Sequence, residues 1–361
     1  MRVYTCDHCR NPLYFENSQC LHCGRAVGFD PVTSSIMTLA GADGRPTGQG
    51  GYRYCKNAEF GTCNWLLPAS SASSFCLACG LNRVIPALNS DTNRQRWKNL
   101  EVAKHRLIYS LLQLHLPFRV DKEGQAETLI FDFMADVPNG EHVMTGHDNG
   151  VITINIEEAD EAQRVRHKLD LGERYRTLLG HFRHESGHFY WDVLINDEPC
   201  LNDFRRLFGD ERTDYGTALA AYYAQGPKAN WNQRYISPYA TSHPWEDWAE
   251  TWAHYLHMMD TLETAWAFGI RVDPVELDDD AGIRASIRKT PYEVKDFDWL
   301  VKRWLPLCFA VNSLNRSMGH ADFYPFILSA AVVEKLRFIH ERCLSFSSET
   351  VADPAYRGNP Y

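Results

Sequence analysis

No stretch of this 361-residue chain approaches the roughly eighteen consecutive apolar residues of a membrane-spanning helix, which excludes a helical membrane protein. The opening residues MRVYT also lack the apolar run of a secretory leader. The chain is therefore expected to stay in a reducing compartment, the cytoplasm. A basic excess is missing as well, for the net charge is -9, which argues against a general nucleic-acid binder. What remains is a globular chain with 44% hydrophobic residues, ample for a core. Residues 1–90 carry seven basic and five acidic side chains, so the acidic surplus lies in the rest.

Cysteine is plentiful in one region and sparse elsewhere. Eight of the eleven fall in the first eighty residues, as Cys6-x2-Cys9-x10-Cys20-x2-Cys23 and Cys55-x7-Cys63-x12-Cys76-x2-Cys79. A C-x-x-C knuckle presents two sulfurs on one tight turn, and two such pairs complete a closed tetrahedron around zinc. Two structural four-thiolate zinc sites are expected, the second spaced more loosely. Metal binding would replace the hydrophobic core that modules of this size cannot build. The segments Cys20-Leu21-His22-Cys23-Gly24 and Cys76-Leu77-Ala78-Cys79-Gly80 share a C-L-x-C-G knuckle, so the modules read as related ribbons. They would hold structure or recognise a protein partner. Cys200, Cys308 and Cys343 have no partner at ligand spacing and read as buried thiols.

Further along, His184-Glu185-Ser186-Gly187-His188 matches H-E-x-x-H. Glu173 to Ile195 recurs in apolar residues at three- and four-residue steps and predicts a helix, which places His184 and His188 on one face to grip a zinc ion. Glu185 is then aimed at a metal-bound water. His181 lies on nearly the same face and reads as a bystander.

A catalytic zinc needs three protein ligands and an open position. The extended H-E-x-x-H-x-x-G-x-x-H form would need Gly at 191 and His at 194, where this chain has Trp191 and Leu194, so that class is excluded. A second predicted helix, His243 to His257, opens with Pro244 and carries Glu246 and Glu250 four apart on one face. Glu246 is the expected third ligand. Glu250 would accept the far N–H of a ligating histidine and raise its basicity. His254 and His257 are weaker candidates.

These residues resemble the gluzincin-type zinc peptidases, with two helix histidines and a downstream glutamate, and in particular the catalytic domain of anthrax lethal factor. The shared elements are H-E-x-G-H and E-x-x-A-E, here Glu246-Asp247-Trp248-Ala249-Glu250. The resemblance implies that Tyr239, seven residues before the ligand glutamate, donates a hydrogen bond to the developing oxyanion, a role that Tyr235 could also take. The whole layout is similar to a bacterial family of zinc-binding metallopeptidases with an N-terminal zinc ribbon. The implied fold is α+β: two small N-terminal zinc ribbons, then a zincin-like, predominantly helical metallopeptidase domain with a small sheet. The implied activity is peptide-bond hydrolysis in which Glu185 takes a proton from a zinc-bound water and passes it to the leaving amine. The rival readings are a silent zincin scaffold that binds partners through its ribbons, and an amidase or isopeptidase using the same zinc.

The expected organisation is a first ribbon at 1–45, a second module at 46–90, the peptidase domain at 91–345 and a loose tail at 346–361. A Gly- and Pro-containing connector, Ala40 to Gly51, separates the cysteine modules. Asn93 to Leu114 reads as a helix, and Thr128 to Val137 and Val151 to Ile156 as strands. By analogy with other zinc peptidases, Val151 to Ile156 is a candidate cleft edge to which a peptide could add, or else an ordinary core strand. Asp296 to Leu314 and Ala330 to Cys343 read as helices of a C-terminal lobe. The loop Asn315 to His320, with Asp322 to Phe326, is a candidate wall of the substrate pocket, unless its Arg and Asp simply pair with each other.

Overall fold

The computed structural model describes residues 1–39, 51–122, 125–137, 140, 142–161, 177–276 and 282–352. Its contacts divide the chain into two units, Met1–His167 with Thr350–Tyr361, and Lys168–Glu349.

The first unit begins with short antiparallel hairpins. β1 (Tyr4–Thr5) pairs β2 (Pro12–Leu13), β3 (Val27–Asp30) pairs β4 (Ser35–Thr38), and β5 (Tyr52–Tyr54) pairs β6 (Leu66–Pro68). After the second knuckle Gly24 takes φ 73°, a left-handed conformation that lets the chain reverse at little cost. The two cysteine modules do not stand apart. Phe29 and Trp65, both fully buried, meet at 4.8 Å, and a Cβ on Gly28 would lie 2.5 Å from Leu66 Cδ2. Phe15 and Tyr109 complete that aromatic core. The connector Ala40 to Gly50 lies outside the described residues.

A short helix α1 (Leu77–Gly80) is capped by the Cys76 side chain. The long α2 (Asp91–Gln113) starts at Ser90, whose hydroxyl accepts the Asn93 N–H at 3.1 Å. A four-stranded mixed sheet follows, in the order β11 (Gly146–Asp148), β12 (Val151–Asn155), β10 (Ile130–Met134), β7 (Asn82–Val84). A separate hairpin joins β8 (Arg119–Lys122) to β9 (Gln125–Thr128).

This sheet corrects one expectation. Strand β12 is not a cleft edge, for it pairs β10 in parallel on one side and β11 antiparallel on the other, so its hydrogen-bonding groups are engaged on both sides. Its buried Ile152 and Ile154 are those of an ordinary core strand. The sheet also crosses the expected boundary at residue 90, because β7 from the second cysteine module pairs β10.

The second unit is mainly helical. It comprises α3 (Leu178–Leu194), α4 (Glu198–Phe208), α5 (Tyr215–Gln225), α6 (Pro244–Ala267), α7 (Phe297–Ser317) and α8 (Ala330–Ala352), with one hairpin of β13 (Arg271–Val272) and β14 (Ala285–Ser286). Thr177, Asp197, Asp214 and Asp296 cap α3, α4, α5 and α7 through side-chain oxygens. Glu173 to Arg176, the expected start of α3, lie outside the described residues. Helix α7 runs to Ser317, so only the end of the expected loop 315–320 is a loop. Helix α8 continues through Ala352, into the expected tail, and residues 353–361 lie outside the described residues.

Helices α3 and α6 form the centre of this unit, and glycine brings them close. A Cβ on Gly187 would stand 2.9 Å from Ala249 Cα, nearer than real contacts allow. Around that crossing, Trp248 Nε1 donates to the Gly187 carbonyl at 2.8 Å and Trp252 Nε1 donates to Ser186 Oγ at 3.1 Å. Tyr190 stacks on Trp252 at 5.0 Å. Large aromatic rings thus fill the crossing while the indole N–H groups of Trp248 and Trp252 keep partners.

Candidate metal centre

Both cysteine clusters assemble as their spacing predicts. The sulfurs of Cys6, Cys9, Cys20 and Cys23 converge, as do those of Cys55, Cys63, Cys76 and Cys79. Cys6 to Cys23 is 3.8 Å, Cys9 to Cys20 is 3.5 Å and Cys63 to Cys76 is 3.7 Å. A tetrahedron with Zn–S bonds of about 2.3 Å has edges of about 3.8 Å, so the donor sets fit zinc. All eleven cysteines are free thiols, and Cys200, Cys308 and Cys343 are buried.

The second cluster has neighbours that spacing alone did not single out. His105 Nε2 lies 3.3 Å from Cys63 Sγ and 3.8 Å from Cys79 Sγ, while its Nδ1 bonds the Glu101 carbonyl at 2.6 Å. Glu101 is itself fully buried, paired with Lys104 at 2.9 Å and bonded by Trp97 Nε1 at 3.0 Å. Residues 97, 101, 104 and 105 share one face of α2. That polar run on a buried helix face was the available signal.

In the second unit, the ligand atoms of His184, His188 and Glu246 lie within 4.8 Å of one another. α3 supplies the two histidines from successive turns. α6 supplies Glu246 from its first turn, where the helix dipole favours a carboxylate. His243 starts that helix, its Nδ1 accepting the Trp245 N–H at 3.1 Å, with Pro244 as the first helical residue.

The contacts fit a cation. His184 Nδ1 donates to Glu250 Oε1 at 2.7 Å, so its Nε2 faces Glu246 Oε2, 3.0 Å away. That carboxylate oxygen is buried and has no hydrogen-bond partner. His188 Nε2 is 3.6 Å from the other oxygen. A tetrahedron of nitrogen and oxygen donors at 2.0–2.1 Å has edges of roughly 3.3 Å, between these values. His181 is not part of this group of residues. His254 Nδ1 is bonded to the Tyr324 hydroxyl at 2.9 Å and His257 Nδ1 to Arg183, so both are engaged elsewhere.

The electrostatics agree with a charged set. Burial works against a charged His184, but the carboxylates of Glu246 and Glu250 outweigh it and hold the imidazolium well above its ordinary range. Burial dominates at His188 and pushes it down to about 4. Burial also opposes the charge of Glu246, yet His188 and His184 pull it down to about 2. Glu250 is likewise held low against its burial, by His184 first.

Two tyrosines stand at the group. The Tyr239 ring lies 6.0 Å from the His184 ring, and burial together with nearby Glu246 raises its hydroxyl far above the ordinary value. Tyr235 is occupied differently, its hydroxyl taking a hydrogen bond from Lys228 at 3.2 Å. Tyr215, at the start of α5, donates to Glu246 Oε1 at 2.7 Å. Nothing in its spacing from either motif marked it. The expected pocket wall after α7 shows the plainer outcome, for Arg316 pairs with Asp322 at 2.6 and 2.7 Å.

Comparison with known proteins adds the family. A family model described as "Putative zinc-binding metallo-peptidase" matches residues 93–342, and a zinc-ribbon domain model matches residues 3–90. Uncharacterized proteins of Mycobacterium bovis and Mycobacterium tuberculosis are each 40% identical over 342 residues, which cover 94% of this chain and 94% of theirs. No solved structure matches. With an N-terminal zinc-ribbon domain and a match that spans most of the remaining chain, the protein belongs to this family of zinc-binding metallopeptidases.

Proposed function

We propose that the protein is a zinc-dependent peptidase that acts on a peptide or protein substrate in the cytoplasm, with His184, His188 and Glu246 as ligands of one catalytic zinc and the two cysteine clusters as structural zinc sites. The observation that carries this reading is the convergence of three ligand groups from two helices, with an unpartnered carboxylate oxygen of Glu246 facing His184. The E-x-x-A-E spacing shared with anthrax lethal factor supports Glu246 as ligand and Glu250 behind it. A zinc ion held there supplies Lewis acidity toward water and the scissile carbonyl oxygen.

The chain's own residues then divide the work. Glu185, next to His184 on α3, accepts a proton from the attacking water and returns it to the leaving amine. Tyr239 donates its O–H to the oxygen on which negative charge develops, a task for which its raised pKa keeps it protonated. Glu250 fixes the His184 ring through Nδ1, and Tyr215 holds one Glu246 oxygen in place.

Two measurements test this. Elemental analysis should find about three zinc ions per chain, and about two in the His184→Ala/His188→Ala variant. Glu185→Gln should keep all its zinc and lose about two to four powers of ten in peptide cleavage. Wild-type turnover in Glu185→Gln would remove Glu185 as the base, and equal zinc in wild type and the double variant would remove the catalytic site.

A further inference from the structure

The second cysteine cluster has more donors around it than one zinc ion uses. Cys55, Cys63, Cys76 and Cys79 supply four thiolates, the full complement of a structural site. His105 stands beside them on α2, only 5% exposed, with Nε2 3.3 Å from Cys63 Sγ and 3.8 Å from Cys79 Sγ. A tetrahedral zinc with Zn–S bonds of about 2.3 Å and Zn–N bonds of about 2.0 Å sets its nitrogen and sulfur ligands roughly 3.5 Å apart. The two distances lie on either side of that value.

The ring is held so that it presents a lone pair. Its Nδ1 lies 2.6 Å from the Glu101 carbonyl oxygen, one turn earlier in α2, and a carbonyl only accepts, so Nδ1 carries the proton. Nε2 of the neutral imidazole is then the acceptor nitrogen, and it faces the sulfurs. Ligating histidines are held in this way, with the far N–H given to a backbone carbonyl. Trp65 packs edge-on against the His105 ring at 5.1 Å and fixes its plane. Glu101 also approaches the cluster, its Oε2 3.9 Å from Cys79 Sγ, but its oxygens are engaged by Lys104 at 2.9 Å, Trp97 at 3.0 Å and Asn82 at 2.5 Å. Among the described residues, that leaves His105 as the extra donor.

We propose that His105 is a reserve ligand of the second zinc centre, able to replace Cys63 so that Cys55, Cys76, Cys79 and His105 hold the ion. Cys63 is the ligand exchanged because its sulfur is the nearest to Nε2 and stands outside the knuckle. Cys76 Sγ accepts the Cys79 N–H at 3.5 Å and Cys55 Sγ accepts the Cys76 N–H at 3.3 Å, whereas Cys63 Sγ accepts from Trp65, at 3.3 Å. In the exchange the zinc–sulfur bond to Cys63 breaks, a zinc–nitrogen bond to Nε2 forms and the released thiolate takes a proton from water. No electron is transferred. The centre then draws ligands from both matched segments, cysteines from residues 3–90 and His105 from residues 93–342, and ties α2 to the knuckle. The inference is independent of the peptidase reading, since it uses neither His184 nor Glu246.

Elemental analysis of the full-length, zinc-loaded chain reads the exchange as differences between variants. Cys63→Ala should hold as many zinc ions as wild type, because His105 fills the vacancy. His105→Ala should also match wild type, because its four thiolates remain. Cys63→Ala/His105→Ala should hold about one zinc fewer, since three donors no longer close the site. Cadmium NMR of the cadmium-loaded chains identifies the donors. In Cys63→Ala one of the two four-thiolate resonances should move to the position of three thiolates and one nitrogen, and the other should stay.

Loss of one zinc in Cys63→Ala alone overturns the inference and leaves His105 a hydrogen-bond partner of the thiolates. Equal zinc in Cys63→Ala and the double variant overturns it too, since water would then complete the site. Should Cys63→Ala fold poorly, Cys63→Ser keeps an acceptor for the Trp65 N–H, and its cadmium resonance must again move to the three-thiolate, one-nitrogen position. Failure of both variants to fold with that resonance counts against the reserve ligand. A wild-type count of two instead of three zinc ions would strike the histidine centre and leave these differences as they are.

Discussion

Replacing Glu250 by alanine isolates the contribution of a residue that touches no metal. In the structure its Oε1 accepts the His184 Nδ1–H at 2.7 Å, and its side chain is only 21% exposed, so water can restore the lost bond only in part. Hydrogen bonds to a charged partner contribute roughly 1.5–3 kcal/mol. At about 1.4 kcal/mol per decade, zinc at this centre should bind some 10–100-fold more weakly. Glu250→Gln keeps an oxygen that accepts the same N–H, so its loss should stay below about tenfold. Competition with a fluorescent zinc chelator would measure both variants. Zinc held by the two cysteine clusters should be unaffected, because neither Cys set includes Glu250. An alanine variant with unchanged affinity, or one that weakens all zinc sites alike, would refute the argument.

Other outcomes follow from the same geometry. Gly187→Ala should destabilise the protein by about 1–3 kcal/mol, read as a lower urea midpoint, since the new Cβ would lie 2.9 Å from Ala249 Cα. Tyr215→Phe should weaken zinc about tenfold in the chelator assay, because Glu246 Oε1 loses its 2.7 Å donor. Zinc binding at the histidine site should release about one proton at neutral pH: His184 is held charged in the metal-free protein, whereas His188, at about 4, and Glu246, at about 2, have already lost theirs. The sign has a counterpart in stability. A raised histidine pKa stabilises the metal-free fold below the unfolded value near 6.5 and ceases to do so as pH rises through the folded value. Apparent zinc affinity should therefore climb by about a decade per pH unit until His184 is neutral. Calorimetry in buffers of different ionisation enthalpy would count the proton.

Several features were legible in the chain itself because the geometry involved is local. Cys6 and Cys9 share one turn, and His184 and His188 share one helix face, wherever the rest of the molecule lies. The helix that opens at Pro244 was legible as far as His257, and the structure carries it on to Ala267. Two readings met limits of a different kind. The strand at 151–155 has the composition of either an edge or an inner strand, and only pairing with β10 and β11 decides between them. Arg316, in the last turn of α7, and Asp322 beyond it offered a pocket wall or an ion pair, and a 2.6 Å contact decided for the pair.

The sequence by itself determined the sets of ligands that lie within one turn of each other, because a tight knuckle and a helix turn have fixed dimensions. Tertiary structure decided everything that joins distant segments: Glu246 facing His184, Glu250 behind its ring, Tyr215 on Glu246 and His105 against Cys63. Such meetings depend on how helices pack, and packing depends on the shapes of many side chains at once. Spacing along the chain does not encode them.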